Sequence, residues 1–166
     1  MNVFIKTFSA VAVTSLLLVA CGGGNDDDPT PSNEPGTITV TSATLGDLNG
    51  IYGNGALNLT GVDKSNPVGS VPELCAFRFD GANKAGSSAT AFGDIRYRPD
   101  ATGLFQAFLN VGGKEYASGD ATDTSVDRAR DRVIFTGKTL QATDGSTATV
   151  RVYGVIPMRP SRPAGC

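Results

Sequence analysis

Apolar and polar side chains alternate with period two at many places from residue 37 to the end of the chain, which is the pattern of strands buried on one face. Thr37-Ile38-Thr39-Val40-Thr41 alternates, and Ala56-Leu57-Asn58-Leu59-Thr60 does so again after Gly53-Asn54-Gly55, a turn signal because glycine and asparagine tolerate positive φ. Cys75, Phe77 and Phe79 share one face of a strand, with Ala76, Arg78 and Asp80 on the other. Residues 92–98 place Ile95 and Tyr97 against Asp94, Arg96 and Arg98; residues 99–103 reverse the chain, and residues 104–111 return it. On the returning strand Phe105, Ala107, Leu109 and Val111 form one side, while Leu104 and Phe108 lie opposite, so cover on both faces is expected there. A second hairpin runs through 133–140, turns at Asp144-Gly145, and comes back over 147–156 with Ala148, Val150 and Val152 facing one way and Thr147, Thr149, Arg151 and Tyr153 the other. Residues 126–132 have room for one helical turn.

The expected fold class is therefore all-β: a single small antiparallel domain over 37–166, of about seven or eight strands in largely meander order. Alternation alone leaves a sandwich and a barrel equally open, because both bury one face of each strand. The composition agrees, with 21 glycines and 9 prolines in 166 residues and 40% hydrophobic residues, enough for one compact core. A net charge of -2 argues against a nucleic-acid partner, which needs a concentrated basic surface.

The N-terminal region has a different character. Lys6 precedes an unbroken stretch of apolar, small or hydroxylated residues over 8–20 that ends Leu16-Leu17-Leu18-Val19-Ala20 before Cys21. That order is the order of a secretory signal, and the run is several residues short of a membrane-spanning helix. Leu18-Val19-Ala20-Cys21 resembles the lipobox of bacterial lipoprotein precursors. The resemblance implies a signal peptide over 1–20, a diacylglyceryl group on the Cys21 thiol, and cleavage that makes Cys21 the N-terminus. It further implies membrane attachment by acyl chains, because two or three chains hold a protein far more durably than one. Gly22 follows the cysteine, where an aspartate would signal inner-membrane retention, so the resemblance leans toward the outer membrane, facing the periplasm. Residues 21–36 combine Gly22-Gly23-Gly24, Asp26-Asp27-Asp28 and three prolines, the composition of a flexible acidic tether.

With Cys21 assigned to lipid, Cys75 and Cys166 remain in a compartment where disulfides persist. Pairing them would pin the proline-rich 157–165 tail across the strand carrying Cys75; two free thiols or an intermolecular bridge are the alternatives. The chain has no histidine, which excludes Ser-His-Asp and Cys-His mechanisms and His-ligated zinc. No cofactor or metal is expected. Asp120, Asp123, Asp127 and Asp131 lack calcium-loop spacing and are interleaved with Arg128, Arg130 and Arg132, so a solvated loop laced with ion pairs is expected. Arg78, Arg96 and Arg98, with Arg151, are a candidate anion-binding patch if their strands are neighbours. The functional expectation is a lipid-anchored envelope module with a non-enzymatic binding or structural β domain. The alternatives are a small-ligand carrier with a barrel cavity and a hydrolase using paired carboxylates or a Ser-Lys arrangement.

Overall fold

The computed structural model describes residues 28–166, so Cys21 and the expected signal peptide lie outside the described residues. Ten strands form one curled antiparallel sheet, a half-barrel, in place of the two sheets of a sandwich. They are β1 (Thr37–Thr41), β2 (Gly50–Tyr52), β3 (Leu59–Ser65), β4 (Leu74–Asn83), β5 (Thr90–Tyr97), β6 (Gln106–Val111), β7 (Lys114–Ser118), β8 (Thr124–Asp127), β9 (Arg132–Ala142) and β10 (Thr149–Pro157). The order across the sheet is β2-β1-β10-β9-β7-β6-β5-β4-β3, with β8 pairing β9 beyond the end of β7. Meander order prevails from β3 to β7, and the chain closes on itself where β1 pairs with β10. The seam falls between β2 and β3. Across it Gly53 N donates to Asn83 O at 3.2 Å and Ala85 N to Ile51 O at 2.9 Å, so the end of β4 meets β2.

The inward face is continuous from strand to strand because register and alternation agree. Phe77 of β4 stands opposite Ile95 of β5, and Ile95 opposite Ala107 of β6. All three are buried, with Phe79, Leu109, Val111, Leu140 and Val152. Gly93 is fixed by this packing: a Cβ there would lie 2.5 Å from the Phe79 ring and 2.4 Å from the Phe108 carbonyl oxygen. Tyr52, Tyr97 and Tyr116 fill the remaining interior. Tyr97 stacks on Phe77 with ring centroids 5.3 Å apart.

Four expectations give way to the structure. β6 is buried on one face only: Ala107, Leu109 and Val111 are buried, while Gln106, Phe108 and Asn110 are half-exposed. Phe105 precedes the strand and is exposed, whereas Leu104 turns inward from the loop. The second strand begins at Leu59 rather than at residue 56 and runs on to Ser65. The strand count rises from seven or eight to ten because β2, β7 and β8 are short and each carries little apolar signal. The expected turn over 126–132 is a single 3-10 turn, Arg128–Arg130.

Residues 28–36, expected to be part of a flexible tether, lie along the outside of β1. Asp28 accepts from Ser42 N at 2.9 Å, Ser42 Oγ at 2.9 Å and Asn49 Nδ2 at 2.7 Å. Ser32 N donates to Thr39 Oγ1 at 3.1 Å, and Gly36 N to Val155 O at 2.7 Å. Thr37, Thr39 and Thr41 are buried although they face outward: the strap engages the Thr39 hydroxyl, and the Thr37 hydroxyl accepts from Gly55 N at 2.9 Å. The folded unit thus begins by Asp28, and the strap meets the barrel end that carries Ser42 and Asn49.

The opposite end is closed by the C-terminal tail. Cys75 and Cys166 are joined, with sulfurs 2.01 Å and Cα atoms 5.7 Å apart. Met158 and Cys166 are buried, and Tyr97 Oη donates to Cys166 O at 2.5 Å. Arg159 Nη1 donates to Thr60 O at 3.0 Å, and Lys64 Nζ to Ala164 O at 2.9 Å, so the tail also covers the free edge of β3.

Candidate functional site

The β4–β5 register sets Ala76 opposite Arg96 and Arg78 opposite Asp94, all on the outer face; the β3–β4 register sets Asp63 opposite Ala76. Arg96 and Asp94 satisfy each other, Nε donating to Oδ1 at 2.8 Å, and the guanidinium lies over the Phe108 ring at 5.2 Å. Arg78 is different. Its stem runs over Gly61, where an added Cβ would sit 3.7–3.9 Å from the arginine's carbon chain. Among the described residues neither the Arg78 guanidinium nor the Asp63 carboxylate has a hydrogen-bond or ion-pair partner. Both line a depression of about 360 Å³ whose floor is Gly61 and Ala76 and whose apolar wall is Val71 and Leu74. The wall is held up by a tight turn in which Val68 and Val71 exchange backbone hydrogen bonds at 3.0 Å each. Beyond Arg78 and Asp94 a second depression of about 240 Å³ is lined by Phe92, Phe108, Asn110 and Glu115. Phe92 is 47% exposed, a large aromatic face left open to solvent.

The structure separates the four arginines of the expected patch. Arg78 and Arg96 share one groove. Arg98 belongs to the β5–β6 connection, over the Phe105 ring at 5.9 Å, beside a different depression of about 430 Å³. Arg151 lies on β10, three strands away from β6, and serves the bulge in β9: its Nε donates to Gly137 O at 3.1 Å and its guanidinium lies over Tyr153 at 5.5 Å. Gly137 is the bulged residue, with φ +99°, and a Cβ there would meet the Arg151 and Tyr153 side-chain tips at 2.9 Å. Within the groove Asp63 and Asp94 balance Arg78 and Arg96, so its character is mixed charge rather than cationic.

The bulge turns Lys138 inward, where it is 2% exposed at its side chain and pairs with Asp120 on the 119–123 loop; its Nζ also donates to Thr122 Oγ1 at 3.1 Å. The hydrogen bonds from Lys138, Thr122 and Ser118 hold the Asp120 carboxyl well below the usual carboxylate range. Asp127 accepts from Arg130 and Arg132, and Asp131 meets Arg162 at 2.5 Å. Asp120, Asp127 and Asp131 thus sit in separate ion pairs, Asp123 accepts from Thr136 N through its backbone carbonyl, and no group of three or more carboxylates or cysteines gathers for a metal among the described residues.

Two tyrosines mark the interior. Burial pushes the Tyr97 hydroxyl up to about 12 against the opposing charges of Arg128 and Arg162. Tyr116 is fully buried and its hydroxyl has no hydrogen-bond partner among the described residues, while Tyr52 donates to Leu48 O at 2.8 Å. Asp63 and Lys138 carry chemistry that the pattern of residues did not single out. Asp63 lies in the part of β3 beyond Thr60. For Lys138 a signal was present, since inward apolar residues change from odd to even positions across Gly137: Val133 and Phe135 before it, Leu140 and Ala142 after.

No family model, no curated protein and no solved structure matches the chain.

Proposed function

We propose that this protein is a lipid-anchored lipoprotein of the bacterial envelope whose β domain is a non-enzymatic binding module, with the outer face of β3–β7 as its binding face. The observation that carries the binding role is the pair of opposite, unpartnered charges, Arg78 and Asp63, in a walled depression on a sheet whose other face is fully packed. Unpaired charges in a concave site are where a ligand gains most from complementary groups. The interior is occupied by Tyr52, Tyr97, Tyr116, Phe77 and Phe79, which favours surface binding over carriage in a cavity. Lys138 donates to the ionised Asp120 carboxylate, an arrangement suited to holding a loop rather than to activating the Thr122 hydroxyl.

The anchoring half of the reading rests on Leu18-Val19-Ala20-Cys21. Six residues, 22–27, separate Cys21 from the docked Asp28, so the span from the acylated sulfur to the domain is at most about 25 Å. The barrel end bearing Ser42 and Asn49 would face the bilayer, leaving the groove at the side and the disulfide-closed end outermost. Fractionation of expressing bacteria tests the anchor. The wild-type chain is expected in the outer-membrane fraction with incorporated fatty acid, and the Cys21→Ala chain is expected to take up none and to be missing from that fraction; a Cys21→Ala chain that still reaches the outer membrane overturns the reading.

A further inference from the structure

We infer that the depression beside Arg78 takes the zwitterionic head of an α-amino acid, its carboxylate on the Arg78 guanidinium, its ammonium on the Asp63 carboxylate and an aliphatic side chain against Val71 and Leu74. The inference rests on the reading of this outer face as the binding face and names the ligand class of that same site. Three observations carry it.

The first is spacing. Asp63 stands opposite Ala76, and Arg78 lies two residues along β4, so the two are diagonal neighbours on one face, with Cβ atoms within about 7–8 Å. They nevertheless stay more than 4.0 Å apart at their charged tips, since no ion pair joins them. A compact group with both charges on one carbon fits between such a pair.

The second is the balance of charge. A simple anion drawn to Arg78 meets Asp63 and Asp94, and a simple cation drawn to Asp63 meets Arg78 and Arg96. A neutral ligand would desolvate both free charges without compensating either. Only a ligand with both signs satisfies the two at once, and a guanidinium forms a bidentate pair with a carboxylate. The third is the wall. Val71 and Leu74 offer apolar contact beside the charged pair, and Gly61 and Ala76 leave the floor open, within a volume of about 360 Å³.

The test is a titration of the full chain in detergent micelles, followed by amide and side-chain NMR. The probes are L-leucine, N-acetyl-L-leucine, L-leucinamide and maltotriose. Leucine is expected to shift Asp63, Arg78 and Val71 with millimolar affinity, and either capped form to bind at least tenfold more weakly. Arg78→Gln is expected to make leucine and leucinamide equal, and Asp63→Asn to make leucine and N-acetylleucine equal. Both side chains are exposed, so both variants are expected to keep the wild-type melting temperature. Leucine binding no better than its capped forms overturns the inference. Maltotriose shifting the same residues while leucine does not overturns the zwitterion and leaves the binding face standing; silence from all four probes overturns both.

Discussion

Replacing Cys75 and Cys166 together by alanine removes the link between the tail and β4. The two residues are 91 apart in sequence, so the bond closes most of the domain into one loop. Releasing a loop of that length from the unfolded ensemble costs the native state about 4.5 kcal/mol in the chain-entropy account. For a chain of this size each kcal/mol moves the melting temperature by about 2–4 °C, so a fall of roughly 10–18 °C is expected. The native tail keeps its other contacts, the Tyr97 hydroxyl on Cys166 O, Arg159 on Thr60 O and Lys64 on Ala164 O, so the effect should come from the unfolded side. Urea unfolding of the wild-type and variant chains, followed by tyrosine fluorescence, measures it. The slope with urea should rise in the variant, because its unfolded chain is less compact. A loss below about 1 kcal/mol would refute the reasoning, as would two titratable thiols in the wild-type chain purified from the envelope.

Three further predictions follow from the interior and its ion pairs. Tyr116→Phe removes a buried hydroxyl without a partner and should leave stability unchanged or raise it by about 1 kcal/mol, whereas Tyr97→Phe strands Cys166 O and should cost about 1 kcal/mol or more; equal effects in urea melts would contradict this. Asp120→Ala leaves the buried Lys138 ammonium with Thr122 alone and should cost about 3 kcal/mol, while Lys138→Met leaves a largely exposed carboxylate and should cost about 1 kcal/mol at most; the reverse order would show that the loop, not the lysine, depends on the pair. Asp144 is held down at about 2 by the Ser146 hydroxyl and N–H and by Lys114, so its contribution is present above the unfolded value near 3.8 and lost as pH falls through 2. The slope of stability with pH between those values should flatten in Asp144→Asn, and an unchanged slope counts against that assignment.

How much of this was legible in the residues depends on where large apolar side chains alternate. β1, β4, the β5–β6 hairpin and the β9–β10 hairpin all carry that alternation, and their inward faces follow from it. β7 has one large apolar residue, Tyr116, and β8 has one, Val126, so neither stands out from loop. The strap over 28–36 was illegible for a related reason. Its hydrogen bonds run through Asp28, Ser32 and backbone groups, which leave no alternation of apolar residues to read. Which outward arginines meet was also beyond reach. Alternation assigns each residue to a face but not each strand to a neighbour, and the sheet order puts β9, β7 and β6 between Arg151 and Arg96 of β5. The Cys75–Cys166 pairing was legible because one cysteine lay on an inward face and the other ended a tail too rich in proline to join the sheet.

The anchor is the claim on which location and orientation depend, and intact mass measurement of the chain extracted from membranes tests it most directly. The account predicts a polypeptide that starts at Cys21 and carries the added mass of a diacylglyceryl group with or without an N-acyl chain, that added mass residing on its N-terminal peptide. A chain that retains residues 1–20, or one that starts elsewhere with no lipid, would contradict it.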